Sequence, residues 1–201
     1  MTRRRRRVIV AAVAAVVVLV VTAVLAVSCS GGDDEPSKQR PAAVTLDTTL
    51  VPYKGEGFSV SYPRGWRKFS GLTVVQDAQF EVGVLRSPEF GPESSLDVLV
   101  GNAAFPLSVL VDDWLEVGTR LADFKLESKR QLLVSDVIAY EVRTSYRIER
   151  KGGGTLPVRQ VDVFAVTAKK RLVDVRVTVT ADRYNDTAPL IRSIVSSFRP
   201  R

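Results

Sequence analysis

The sequence predicts an α+β domain, an antiparallel β-meander with two amphipathic helices, set behind an N-terminal membrane segment. Three observations carry this. Residues 140–149 alternate with period two: Tyr140, Val142, Thr144, Tyr146 and Ile148 against Glu141, Arg143, Ser145, Arg147 and Glu149. Residues 107–124 instead place Leu107, Leu110, Val111, Trp114, Leu115 and Leu121 at three- and four-residue steps, the spacing of a helix with one apolar face. Residues 8–28 carry no charge at all.

That uncharged run has 21 residues, Val8 to Ser28. As a helix it would reach roughly 32 Å, enough for a hydrocarbon core of about 30 Å. Arg3 to Arg7 precede it, so the positive-inside rule keeps the N-terminus cytoplasmic and sends everything after Cys29 outside. Leu25, Ala26, Val27, Ser28 and Cys29 resemble a bacterial lipobox, with a small residue before the cysteine whose thiol takes the lipid. Ala26 and Val27 depart from the commonest pattern, and the apolar run is longer than an ordinary signal core. Two readings stand for residues 1–29: a signal peptide ending at lipidated Cys29, or a single transmembrane anchor that is not cleaved. Both place the domain at the cell membrane on its extracytoplasmic face.

Residues 30–46, rich in Gly, Pro and charge, read as a flexible tether, because so little apolar surface cannot offset the entropy of ordering the chain. The domain, residues 47–201, opens with a strand at Phe58, Val60 and Tyr62. Pro63 and Gly65 turn it, and Trp66 closes the turn with a large ring. Strands follow around Phe80–Leu85 and Leu96–Val100, then the helix of residues 107–124. On that helix Asp112, Asp113 and Glu116 lead and Arg120 trails, complementing the helix dipole, and Glu116 with Arg120 forms an i,i+4 pair. After the strand of residues 140–149, the segment KGGGT at 151–155 turns the chain. Val161–Ala168 and Leu172–Thr180 continue the meander, with Val173, Val175, Val177 and Val179 on one apolar face. Asp186 or Thr187 is expected to cap a last helix that carries Pro189 in its first turn and lays Leu190, Ile191, Ile194, Val195 and Phe198 on the sheet.

Composition excludes much chemistry. The chain has no histidine and one cysteine, so it can build neither a His-based triad nor an intramolecular disulfide or thiolate metal cluster. The net charge of +7 is mainly the arm: removing Arg3 to Arg7 from 29 basic residues leaves 24 against 22 acidic. The best local candidate for a nucleic-acid contact, AKKR at 168–171, reads better as a solvated hairpin turn, and no nucleic-acid partner is expected. Asp33, Asp34 and Glu35 lack the spacing of a calcium loop. Asp112 and Glu116 share a helix face and would form half a metal site, but without histidine partners they read as solvated surface. The glycines of KGGGT are not followed by a Gly-Lys-Ser/Thr sequence and a helix, so a hairpin turn is expected there rather than a phosphate loop.

The GFSVSYPRGW opening, the mid-chain amphipathic helix, the meander and the terminal helix ending IVSSFRP together resemble the PsbP-like fold. That type includes the extrinsic PsbP subunit of photosystem II and actinobacterial lipoproteins of the LpqN/LpqT kind. The resemblance covers roughly residues 50 to 200. It implies an antiparallel β-sheet flanked by helices on both faces, an α/β/α sandwich. It carries over no catalytic residues, and on this fold function is mostly docking to other macromolecules.

The expected protein is therefore a membrane-tethered extracytoplasmic binding or accessory domain, not an enzyme, with no cofactor and no metal. It is expected to be monomeric, and to meet another envelope protein or a glycolipid. Two other functions stay open. An exported hydrolase could use two carboxylates brought together by folding, and an anchored subunit of an envelope or secretion complex would share the same topology.

Overall fold

In the computed structural model, residues 49–55, 57–68, 78–86, 95–150 and 153–201 are described. The alternating valines of residues 171–180 set the architecture. Val173, Val175, Val177 and Val179 are all buried on one face of a strand whose other face is buried as well. A strand covered on both sides belongs in the middle of a sheet.

Ten strands are described. They are β1 (Leu50–Gly55), β2 (Phe58–Pro63), β3 (Arg67–Lys68), β4 (Ala78–Arg86), β5 (Ser95–Asn102), β6 (Ala122–Val134), β7 (Val137–Glu149), β8 (Thr155–Val166), β9 (Arg171–Thr180) and β10 (Arg199–Pro200). Helix α1 spans Leu107–Gly118 and helix α2 spans Tyr184–Ser197. Seven strands form one antiparallel sheet in the order β3-β4-β5-β9-β8-β7-β6, and β1-β2-β10 form a smaller one. The two halves of the chain meet where β5 pairs β9, Leu96 opposite Val177 and Val98 opposite Val175.

Helix α2 covers one face of the large sheet. Its Leu190, Ile191 and Ile194, followed by Phe198, join Phe58 and Val60 of β2 and the inward valines of β5, β8 and β9 in the principal core. Ser197 Oγ accepts from the Ser61 backbone N–H at 2.7 Å, fixing α2 to the small sheet. Helix α1 covers the other face, where Val111 and Trp114 pack on Val142 and Phe164. Helices on both faces of an antiparallel sheet are the architecture that the resemblance implies.

Three local expectations need correction. The helix expected over 107–124 ends at Gly118, so Arg120 lies beyond it, the Glu116–Arg120 pair does not form on a helix, and the first turn holds no acid. At its end the Thr119 hydroxyl donates to the Glu116 carbonyl, and the Phe124 ring returns over Gly118, where a Cβ would sit 2.7 Å from ring carbon Cε2. Leu121 then turns onto Tyr146, Ile148 and Val158 instead of continuing the helical stripe. Residues 122–134 form β6, where a helix was expected to continue to 124 and no element was expected beyond it. Its two register shifts, between Ala122 and Lys125 and between Leu126 and Ser128, break the alternation that would have marked a strand.

The last helix starts earlier than expected. Neither Asp186 nor Thr187 caps it; Arg183 is the N-cap residue, and Pro189 lies inside the helix beyond the first turn. Tyr184 packs on the principal core and lies under the Arg159 guanidinium, 4.8 Å from its ring centroid. The Thr187 hydroxyl donates within the helix, to the carbonyls of Arg183 and Tyr184.

The expected turns are present. Trp66 is buried after the Arg64–Gly65 turn. Gly153 and Gly154 take positive φ (97° and 81°) between β7 and β8, a conformation open to glycine at no steric cost. AKKR straddles the β8–β9 hairpin, with Lys170 at φ 57°.

Candidate functional site

The register of the large sheet builds an ionic layer beneath α1. Val142 of β7 lies opposite Asp162 of β8, Asp162 opposite Arg176 of β9, and Arg176 opposite Asp97 of β5. One step along, Thr144, Gln160, Thr178 and Ser95 make a second row. Asp174, two residues before Arg176, points to the same face by the alternation of a strand. All these side chains are buried, Asp162 completely and Arg176 to 4 % exposure.

A charge this deep is stable only when paired and hydrogen-bonded. Arg176 Nε donates to Asp162 Oδ1 at 2.8 Å and its Nη2 to Asp174 Oδ2 at 2.8 Å. Gln160 Nε2 donates to both oxygens of Asp162, at 3.0 and 2.8 Å. The Gln160 carbonyl oxygen in turn accepts from the Tyr146 hydroxyl at 2.6 Å and the Thr178 hydroxyl at 3.3 Å. Ser95 donates to Asp97 at 2.9 Å. Trp114 of α1 closes the layer, its ring 5.6 Å from the Arg176 guanidinium carbon and 5.4 Å from the Phe164 ring.

One cation faces three carboxylates here, and the balance shows in their acidity. Burial pushes the Asp174 carboxyl well above the usual range, and Asp162 and Asp97 add to the shift while Arg176 opposes it. Burial also raises Asp162, against the pull of Arg176 and the Gln160 amide. Burial works against the Arg176 cation, but Asp174 and Asp162 outweigh it and hold the group above its ordinary value. Burial raises the Tyr146 phenol, which stays a neutral donor.

These directions set a pH dependence. Both aspartates bind protons more tightly in the folded state than at their ordinary value of 3.8. Above that value the folded chain holds more protons than the unfolded one, so stability falls as pH rises through the elevated folded values. Urea midpoints measured upward from the ordinary carboxylate range should decline for the wild type, and Asp174→Asn should remove part of that slope. Parallel curves for the two proteins would contradict the assignment.

Two neighbouring carboxyls with raised pKa values also invite comparison with carboxylate hydrolases, which use a carboxyl pair as acid and base. In this layer both carboxyls are buried against Arg176, so a substrate could reach them only if α1 lifted off the sheet. Asp112 and Glu116 lie on the exposed side of α1, where Asp112 pairs with Lys129. Among the described residues, no three His, Cys, Asp or Glu side chains are grouped to hold a metal ion. Cys29 and the acidic run Asp33–Glu35 lie outside the described residues, as does the uncharged run of residues 8–28. Among the described residues no helix is long and apolar enough to cross a membrane.

The opposite face carries a second ionic group. Glu141 is buried and receives both Arg130, through Nε at 3.1 Å and Nη2 at 2.8 Å, and Arg143, through Nε at 2.9 Å. The Glu141 hydrogen bond and charge raise the Arg130 pKa. Its two arginines reach the surface, so this group is wet where the layer under α1 is dry.

A seven-stranded antiparallel sheet with one helix on each face and a small sheet beside the terminal helix is a PsbP-like fold. Among solved structures, the chain is similar to the cyanobacterial PsbP (CyanoP) of Synechocystis sp. PCC 6803. The identity is 14 %, the match covers 87 % of this chain and 99 % of that one, and the TM-score is 0.55. It is also similar to LpqN, a protein involved in cell envelope biogenesis of Mycobacterium tuberculosis, at 12 % identity, covering 75 % of this chain and 90 % of that one, with a TM-score of 0.51. At these identities the likeness is one of fold. No family model matches the chain, and no curated protein matches its sequence.

Proposed function

We propose that the chain is a binding or accessory domain tethered at the extracytoplasmic face of a cell membrane, with Cys29 as the lipidated residue and residues 30–46 as spacer. The observation that carries a binding role is the internal pairing of Asp162, Arg176 and Asp174: among the described residues, this buried ionisable cluster is spent inside the fold, which leaves the surface for recognition. The likeness to LpqN supports an envelope setting, and the five-arginine arm before an uncharged run supports the orientation.

Labelling cells with a clickable fatty acid tests the anchor. Wild type should incorporate the label, and Cys29→Ala should lose it and accumulate precursor of higher mass. An unlabelled wild type with an intact N-terminus by mass spectrometry would replace the lipid by an uncleaved helix. Added protease should digest the domain in intact spheroplasts; protection until lysis would overturn the extracytoplasmic orientation under either anchor.

A further inference from the structure

One end of the large sheet gathers several segments. Ala139 pairs with Ala165 and Val166 with Leu172, so the β6–β7 and β8–β9 turns project from the same end. They lie about 10 Å apart, two strand spacings. The Ala168 N–H donates to the Arg201 carbonyl at 3.2 Å, and the Arg201 N–H to the Gly57 carbonyl at 2.8 Å. The β1–β2 turn and the C-terminal strand therefore meet the β8–β9 turn.

Lys54, Lys169, Lys170, Arg199 and Arg201 are exposed at this end, and Arg171 is half-buried. The acidic residues of these segments are Asp136, in the β6–β7 turn, and, by sequence, Glu56. Six basic residues against two acidic is a concentrated excess in a chain that is nearly balanced once its arginine arm is set aside.

Leu133 and Ile138 lie at the same end of the sheet, on its α1 face. They are paired directly across the β6–β7 hairpin and are 70 % and 52 % exposed. Their neighbours on the other face, Leu132, Val134 and Val137, pack into the principal core. With Leu126, they make up the exposed large apolar side chains of the described residues. A nucleic acid would answer the cations but offers nothing to a pair of bare aliphatic side chains. An anionic bilayer answers both, with headgroup charge for the cations and the acyl boundary for the aliphatics.

We propose that this end of the domain docks on an anionic lipid bilayer, with Leu133 and Ile138 entering the headgroup–acyl boundary and the surrounding lysines and arginines contacting the headgroups. A spacer of residues 30–46 spans about 20–25 Å on average and about 60 Å fully extended, so a domain held at Cys29 can bring this end down to its own membrane. The proposal depends on the tethered reading only for which bilayer lies within reach.

The test uses the full chain carrying Leu133→Trp, mixed with vesicles of phosphatidylcholine alone or with phosphatidylglycerol, each with brominated acyl chains. Trp66 and Trp114 are buried, so the parent chain supplies the background emission. The added indole should be quenched in phosphatidylglycerol vesicles beyond that background, and much less in phosphatidylcholine. Lys54→Glu combined with Arg201→Glu should remove the difference without shifting the melting temperature. Flotation with the vesicles but no quenching beyond the parent chain would overturn the docking and leave the tether standing. Equal quenching in both lipids would overturn the role of charge, and a chain that floats with neither vesicle would overturn docking and tether together.

Discussion

Replacing Arg176 by methionine is expected to destabilise the domain by about 3–5 kcal/mol, the range for removing one partner of a buried ion pair. The methionine fills most of the volume, so the cost is electrostatic: Asp162 and Asp174 lose their shared donor while remaining enclosed. Burial already raises the Asp174 carboxyl well above its ordinary value, and without the guanidinium, which opposes the shift, both aspartates should rise further. The loss should therefore be smaller in mild acid than at neutral pH. Adding Asp162→Leu and Asp174→Leu to Arg176→Met should recover much of the stability, since an apolar layer of similar volume needs no partner for its charges. Urea melts of the three proteins at two pH values measure all of this. A single variant as stable as wild type would mean that the layer is hydrated and that its burial has been misread.

Alternation made the meander and the terminal stripe legible, and failed where alternation is not about solvent. In β8 and β9 the residues between the valines are Gln160, Asp162, Asp174, Arg176 and Thr178, which a period-two reading assigns to water. They face α1 instead, because a central strand is covered on both sides. A signal was present: Gln160 and Asp162 recur two residues apart on one strand, Asp174 and Arg176 on the next, with signs that pair across. Reading it required the register between strands some 14 residues apart, and the spacing within one strand does not contain that. Strand β6 was invisible for a different reason, since its bulges shift the phase twice in 13 residues. Past α1 the Phe124 ring folds back over Gly118, a tertiary contact that helical periodicity cannot represent.

Trp114→Ala is expected to cost about 3–5 kcal/mol, as for other large aromatic truncations in a core. Trp114 is 7 % exposed, at the centre of the α1 contact with Val142 and Phe164. Its ring also covers the Arg176 guanidinium, so truncation would open a path for water to the ionic layer. Two contributions then separate. Trp114→Phe keeps most of the apolar contact, and it removes an indole N–H that is buried without a hydrogen-bond partner among the described residues. It should cost only about 1 kcal/mol, within the range for an apolar shape change that breaks no hydrogen bond. Admitting water to the layer should also lower the raised pKa values of Asp162 and Asp174, because burial is their largest cause. The alanine variant should consequently show a flatter dependence of stability on pH than wild type, while the phenylalanine variant keeps the wild-type slope. Equal losses for alanine and phenylalanine would show that α1 is held by the full indole ring system and that a smaller ring does not replace it. A near-neutral alanine variant would show that α1 does not seal this face.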